Sequence, residues 1–272
     1  MTELEKSIAY SKHRLGYTID LDNPQSLSEK VIWRKHFCRN PLMPVTTDKV
    51  KAKHYLSNLI GTDYLIPTLL ATDNLDEIDF DSLPDNYIIK PNHTSGHWHI
   101  VTQGKADRKE IIKKCKAWLK RCYGKDKFEW HYSLIKPQII IEPLLLDDRG
   151  KMPLDYKFQV LNGKWEWCYV STPRNERFNI HGNYDTNWIK MAMYGRMGPC
   201  KHFVPKPKNL DLMVELAELL AEPFDYLRVD MYLINDRLYM GELTHFPSSG
   251  FFGFSPISFD FEAGKKLISY HR

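Results

Sequence analysis

Apolar positions along the chain switch between a period near 3.6 and a period of two, and the switches predict its elements. Ser26 and Glu29 stand at capping-box spacing before Val31, Ile32 and Trp33, which predicts a helix of about three turns running to the break at Arg39-Asn-Pro41. A second helix is expected from Thr46 or Thr47 through Val50, His54 and Ile60, stopping at Gly61. From Leu65 to Asp85 short apolar pieces alternate with Asp-rich turns, the pattern of a small α/β lobe or a connecting segment. Tyr87 to Lys90 reads as a buried strand ended by Pro91. Asp107 is expected to cap an amphipathic helix in which Ile111, Ile112, Cys115, Trp118, Leu119 and Cys122 keep the helical period, with lysines and arginines opposite. That helix packs one side on a sheet, and Cys115 and Cys122 read as core. Residues 138–142 form another short strand, and Leu144 to Gly150 a turn.

Two hairpins follow. Asn162-Gly163 is a two-residue turn signal; mirroring about it pairs Val160 with Trp165, Phe158 with Trp167 and Tyr156 with Tyr169, leaving Asp155, Lys157, Gln159 and Glu166 on the other face. The polar stretch 171–203, with Arg174, Arg177, His181 and Trp188, is too long for a plain connector and reads as a binding loop. Leu210 to Ala221 has the pattern of a short amphipathic helix. In the hairpin after Pro223, a two-residue turn would put Glu242 on the face of Val229, Met231 and Leu233. A three-residue loop at Asn235-Asp236-Arg237 instead sets Asp230 opposite Glu242, with Arg228, Tyr232, Met240 and Thr244 on their face and Val229, Met231, Leu233, Tyr239, Gly241 and Leu243 on the other. The second register is expected, because a buried apolar face rejects an unpaired carboxylate.

Composition adds limits. With 272 residues and 43% apolar content, the chain can build one large domain or two small ones around a sizeable core. The formal charge of +4 is mild and basic residues lie along the whole chain, so no nucleic-acid stripe is expected and at most a peripheral attraction to anionic membranes. The longest stretch free of formal charge, Leu243 to Phe259, contains Pro247, Pro256, Gly250 and Gly253, which argues against a transmembrane span. The start at Met1 is mixed and acidic without an apolar signal region, and a cytoplasmic protein is expected. Five cysteines with no CxxC pair suit reduced, packed thiols.

Candidate chemistry begins at Asp230 and Glu242. Two carboxylates facing across a hairpin repel unless a cation lies between them; either a hard divalent ion such as Mg²⁺ or the Arg228 guanidinium alone can balance them. Lys90, at a strand end before the small-residue loop Asn92-His-Thr-Ser-Gly96, suits a phosphate contact beside main-chain donors, or is an exposed strand-end lysine. His93, His97 and His99 do not read as a zinc site, since Gly96 interrupts the helix that would align them and no cysteine is near. Walker A, GxGxxG and GxSxG sequences are all absent from the chain.

In order, Ile89-Lys-Pro91 with its Ser/Gly loop, Ile140-Ile-Glu-Pro143, Asp155-Tyr-Lys157, Arg228-Val-Asp230 and Gly241-Glu-Leu-Thr244 resemble an ATP-grasp enzyme. Ser28-Glu-Lys-Val-Ile-Trp33, Arg39-Asn-Pro41, Tyr64-Leu-Ile-Pro67, Glu77-Ile-Asp-Phe80, Leu83-Pro84 and Asp155-Tyr-Lys-Phe158 bring it closer to the TupA-like branch, named for teichuronopeptide biosynthesis. The resemblance spans about residues 26–263 and implies site residues one by one. Lys90 would contact ATP phosphates under a cradle from Asn92 through Ser95 to Gly96. Glu142, Pro143, Leu144 and Leu145 would be the hinge that hydrogen-bonds adenine, with Asp147 or Asp148 near the ribose. Lys157 would be a second phosphate contact. Asp230 and Glu242 would ligate Mg²⁺, and Arg228 would stabilise the acyl phosphate and the oxyanion that follows. Many ATP-grasp ligases carry Asn two residues after the metal-binding Glu; Thr244 stands there in this chain, a weaker ligand. Ser248, Ser249 and Gly250 meet a carboxyl substrate or form a plain turn, and Arg174 and Arg177 are further substrate candidates.

The resulting expectation is an α+β ATP-grasp fold with a helical or α+β N-terminal region over residues 1–84, a small lobe over 85–142 closing on ATP, and a C-terminal lobe over 143–272 with the metal hairpin. The implied reaction is carboxylate–amine ligation through an acyl phosphate, using ATP and Mg²⁺. An amino acid would be joined to a uronic acid or peptide in bacterial surface polysaccharide or capsule synthesis. The alternative is a glycosyltransferase of the same polymers, for which Asp79-Phe-Asp81 offers an Asp-x-Asp pair outside a buried strand.

Overall fold

Contacts within the chain gather it into two units, Met1–Asn40 with Pro153–Arg272, and Pro41–Met152. The computed structural model describes residues 1–172, 180–195, 198–199 and 202–270. In chain order the elements begin with α1 (Glu3–Leu15), α2 (Leu27–Phe37), α3 (Leu42–Thr47), α4 (Lys51–Ile60), β1 (Leu70–Thr72), β2 (Tyr87–Pro91), β3 (His99–Val101), α5 (Arg108–Leu119), α6 (Tyr123–Lys127) and β4 (Ile139–Pro143). They continue with β5 (Asp155–Leu161), β6 (Lys164–Ser171), β7 (Ile180–Tyr184), α7 (Leu210–Ala221), β8 (Tyr226–Ile234), β9 (Arg237–Thr244) and α8 (Ser258–Lys266). The class is α+β with two antiparallel sheets.

The unit Pro41–Met152 holds the sheet β1-β4-β2-β3. Strand alternation sends Tyr87, Ile89, Ile139 and Ile141 to one face, where Ile111, Cys115 and Trp118 of α5 close a core with Val101 and Ile78. Asp107 caps α5 as expected, its side chain accepting from Glu110 N at 3.0 Å. The helix ends before Cys122, which is exposed; its expected place in the core is corrected because α5 stops at Leu119. The single helix expected from Thr46 is two, α3 and α4, separated where Asp48 leaves helical geometry and turns its carboxylate onto Val50 N at 3.0 Å. Residues 41–84, expected with the N-terminal region, cluster instead with the small-lobe strands, because Asp48 and Lys53 bond side chains on or beside β2 and β4.

The other unit is split in sequence. Its sheet runs β7-β6-β5-β8-β9, with α7 packed across β5, β6 and β8. The Ser26/Glu29 capping box forms, and α2 is then stapled to the C-terminal segment. Ser28 donates to Asp260 through N (2.9 Å) and Oγ (2.6 Å), Lys30 Nζ donates to Gly264 O (2.7 Å), and Arg34 is fully buried 3.6 Å from Asp225.

Both hairpins turn on two residues with positive φ, Asn162 (49°) with Gly163 (78°) and Asn235 (49°) with Asp236 (61°), and each carries a bulge. In the first, Val160 pairs with Trp165 as expected, but the bulge moves Phe158 opposite Cys168 and Tyr156 opposite Val170. In the second, Ile234 pairs with Arg237, which corrects the three-residue loop; a bulge between Asp230 and Met231 then restores Asp230 opposite Glu242. Met240 consequently joins the buried face opposite Met231, and Tyr239 leaves it. Trp188, expected in a binding loop, is buried and stacked on Tyr184 with centroids 4.8 Å apart, its Nε1 donating to Val204 O at 3.1 Å.

Candidate functional site

Each unit carries a cluster of buried charge on its sheet. In Pro41–Met152 the cluster lies on the sheet face opposite α5. Antiparallel pairing sets Glu142 across from Ile88, so Lys90 is its diagonal neighbour on the same face. Glu142 is 2% exposed, with Oε2 2.5 Å from Lys90 Nζ and Oε1 2.5 Å from Lys53 Nζ. Lys53, on α4, also donates to Ile66 O (2.6 Å) and Thr68 Oγ1 (2.7 Å). Burial opposes the Glu142 charge, and the two ammonium groups outweigh it and hold the carboxyl below its usual range.

The loop after β2 is anchored rather than open at its start. Asn92 is fully buried; its Nδ2 donates to Asp48 Oδ1 (2.9 Å) and Lys136 O (3.0 Å), and its Oδ1 accepts from Gln138 N (2.8 Å). The Asn92 side-chain amide is thus taken up in holding the start of the loop expected to cradle phosphate through its main chain. Ser95 is half-buried and Gly96 is exposed. At the hinge, Pro143 closes β4 opposite Tyr87, and Leu144 N donates to Asn86 O (3.1 Å), so Leu145 is the next residue along whose amide an adenine edge could read. Asp147 turns its carboxylate onto the amides of Arg149 (2.9 Å) and Lys151 (2.8 Å), whereas Asp148 is exposed.

In the other unit, register sets Lys157 of β5, Asp230 of β8 and Glu242 of β9 in one row across three strands. A second row two residues away on the same face holds Gln159, Arg228 and Thr244. Arg228 grips Asp230 with Nε to Oδ1 (2.6 Å) and Nη2 to Oδ2 (2.7 Å), and Nη2 also reaches Thr244 Oγ1 (3.0 Å). Lys157, 5% exposed, bridges Asp230 Oδ2 (2.7 Å) and Asp155. Burial works against ionised Asp230, but Arg228 and Lys157 prevail and keep its carboxyl below the ordinary range. Burial lifts the Asp155 carboxyl instead, and its Oδ1 has no hydrogen-bond partner.

An ionised carboxylate offers about four acceptor positions, and three of Asp230's are used, leaving one on Oδ1. Glu242 is paired opposite Asp230, so two carboxylates stand in register on neighbouring strands, a donor pair that could hold a hard divalent cation. Among the described residues no three His, Cys, Asp or Glu side chains converge as a closed metal cage.

Beyond β9, Ser248 (φ 53°), Ser249 (φ 56°) and Gly250 (φ 85°) make a left-handed turn. Lys35 Nζ donates to Ser249 O at 2.9 Å, and Gly250 lies so close to Ile32 that a Cβ would meet its Cγ1 at 2.5 Å. Ser248 is exposed. Arg174 and Arg177 lie outside the described residues. Asp79 Oδ1 accepts from Asp81 N (3.1 Å) and Asp81 pairs with Arg108, which makes the Asp-x-Asp pair an exposed turn. The histidines take separate partners, His93 beside Asn92, His97 beside Arg121 and His99 beside Lys114.

Sequence reasoning missed Lys53 and Asp155 as members of these clusters. Asp155 had a signal, since it shares the polar face of its strand with Lys157. Lys53 had none in its own helix; only folding brings it to Glu142.

No curated protein sequence matches the chain. Among solved structures, D-alanine–D-alanine ligase from Bacillus anthracis complexed with ATP is 14% identical over 84% of this chain and 63% of that chain, with a TM-score of 0.46. The Helicobacter pylori D-alanine–D-alanine ligase is 15% identical over 83% and 62%, TM-score 0.48. L-amino acid ligase from Bacillus licheniformis is 13% identical over 83% and 50%, TM-score 0.47. The chain thus spans less than two thirds of the length of these three. The family model for TupA-like ATPgrasp matches residues 29–268, nearly the whole chain, and the protein belongs to that family.

Proposed function

We propose that the protein is an ATP-dependent carboxylate–amine ligase. The observation that carries this reading is the Lys157–Asp230–Glu242 row flanked by Arg228 and Thr244, a lysine beside two paired carboxylates on one sheet. In it, Asp230 and Glu242 would hold Mg²⁺, which neutralises phosphate charge when bound. Lys157 would turn from Asp155 toward a phosphate, and Lys90 and Lys53 would do so from Glu142. Released from its lysines, Glu142 can accept from the adenine amino group, with the Leu145 amide on the ring edge and Asp148 toward the ribose. Arg228 is placed to stabilise charge that develops as the carboxylate accepts the phosphoryl group and an amine then displaces phosphate. Ser248, Ser249 and Gly250 would receive the carboxyl substrate, with Arg174 and Arg177 as further substrate contacts. The substrates proposed are an amino acid as amine and a uronic acid or peptide as carboxylate, in surface polysaccharide or capsule synthesis in the cytoplasm. No helix among the described residues is long and apolar enough to cross a membrane.

Product analysis tests the reaction. ADP and phosphate should form only when carboxylate and amine are both present, and hydroxylamine should trap the activated carboxylate as a hydroxamate. AMP and pyrophosphate would replace this reading with adenylation. A melting temperature raised by a nucleotide sugar and not by Mg-ATP would favour the glycosyltransferase.

A further inference from the structure

The proposed reaction gives a task to Lys157, Arg228, Asp230 and Glu242 and none to Asp155, which joins their cluster from the end of β5. Asp155 stands two residues before Lys157, so strand alternation puts both on one face, about 7 Å apart along the strand. Register places Lys157 opposite Asp230, inside the row that ends at Glu242, and Asp155 opposite Tyr232, outside that row. The Lys157 ammonium donates in both directions, across the sheet to Asp230 Oδ2 (2.7 Å) and back along its own strand to Asp155 Oδ2. With Lys157 only 5% exposed, the ammonium is drawn down onto the sheet, and two of its three N–H donors are committed.

Charge balance within the cluster does not require the bond to Asp155. Lys157 and Arg228 face Asp230 and Glu242, two cations and two carboxylates; Asp155 is the third carboxylate. Its own bonding is poor. Asp230 accepts twice from Arg228 and once from Lys157, whereas Asp155 accepts from Lys157 and its buried Oδ1 has no partner. A buried acceptor left unmade destabilises the fold. The same charge stands beside a lysine proposed to receive phosphate, where it repels the ligand. A side chain that works against both its fold and its ligand points to a function for it.

We propose that Asp155 is a positioning residue that competes with nucleotide phosphate for the Lys157 ammonium. The inference rests on the ligase reading, in which Lys157 meets a phosphate, and it names the partner that opposes that contact. When Lys157 lifts, Asp230 keeps Arg228, but Asp155 loses its donor. Lys157 thus has a low position, held by Asp155, and a raised one that a phosphate can reach. A ligand that meets only the raised position binds more weakly by the fraction of the time that position is populated. Asp155 therefore sets nucleotide affinity without touching the nucleotide, and by recapturing the ammonium it favours release of the spent nucleotide.

Calorimetric titration of the full chain with Mg-ATP tests this. Asp155→Asn removes the competitor at nearly constant shape, so Mg-ATP should bind about 10-fold more tightly, the gain for a raised position populated about one-tenth of the time. Loss of a merely structural residue would weaken binding or leave it unchanged. Plain removal of a repelling charge also tightens binding, and Lys157→Met separates the two causes. In that background Asp155→Asn should change Kd by less than about 2-fold, because its effect passes through Lys157. Equal tightening in both backgrounds would overturn the proposal in favour of general repulsion. Circular dichroism first establishes that Lys157→Met is folded. If it is not, the ammonium ¹⁵N resonance of Lys157, assigned through Lys157→Arg, decides. That resonance should move in Asp155→Asn and on adding Mg-ATP to the wild type, and one that Mg-ATP leaves in place overturns the proposal. Wild-type protein that does not bind Mg-ATP overturns the ligase reading and this inference with it. Wild type that binds, with Asp155→Asn equal or weaker, overturns the competition alone.

Discussion

Asp230 and Asp155 share one lysine but differ in everything else around them. Asp230 accepts three charged bonds, whereas Asp155 accepts from Lys157 and leaves Oδ1 without a partner. Asp230→Asn should therefore destabilise the fold by about 3–5 kcal/mol, the scale for breaking a buried pair, and weaken Mg-ATP binding. Asp155→Asn should cost about 1 kcal/mol or less. Thermal denaturation and calorimetric titration check both, and the reverse order would reassign the two acids. The signs with pH also differ. Asp155 is lifted above its ordinary 3.8, so its contribution is full below that value and is lost as pH rises through the raised one. Glu142 is held below its ordinary 4.5, so its contribution is present above 4.5 and is lost as pH falls through the lowered value. Glu142→Gln should accordingly lower the melting temperature at pH 7, with the gap to wild type closing in acid. At this scale Lys90, Lys157, Arg228, Asp230 and Glu242 were legible because each sits in a short pattern of its own strand. Lys53 was not, since nothing around it in α4 anticipates a carboxylate from β4.

The β8–β9 hairpin joins two registers. Turn chemistry at Asn235-Asp236 demands the two-residue loop, the buried face demands Asp230 opposite Glu242, and the bulge satisfies both. Sequence rules treat a hairpin as one register, so the pairing at the site was legible while the turn was not. The only local sign of the bulge is Gly241, where a Cβ would stand 2.9 Å from the Tyr232 ring and 3.1 Å from Asp230 O. Gly241→Ala should destabilise by about 1–3 kcal/mol and reduce Mg-ATP affinity, because the shift it forces displaces Asp230. Gly250→Ala should cost at least as much, having both a positive φ and a contact with the Ile32 main chain. Melting curves of the two variants, with and without Mg-ATP, separate them: the first should lose the nucleotide-induced rise and the second should keep it.

Pro41–Met152 is continuous in sequence and has its own core, its own sheet and its own closed network from Asp48 through Asn92. Expressed alone, residues 41–152 should unfold in one cooperative thermal transition and give dispersed amide resonances; a featureless melt would show that its core needs the rest of the chain. Individual strands and helices were readable from periodicity, and the α+β class was implied by the resemblance. The unit boundary at residue 40 was not, because what assigns Pro41 to Ile60 to this unit is a set of long-range bonds to β2 and β4 rather than a change in composition.

The stapling of α2 to the C-terminal segment sets an order in time as well as in space. Arg34 leaves the ribosome about 190 residues before Asp225, and at about 5–20 residues per second roughly 10–40 s of synthesis separate the two. Throughout that interval Pro41–Met152 emerges whole and can fold, while α2 waits without its partners. Glu29, Arg34 and Lys35, buried in the finished protein, are charges that keep the waiting helix compatible with water. The same side chains thus shield the nascent chain first and lock its two ends together last.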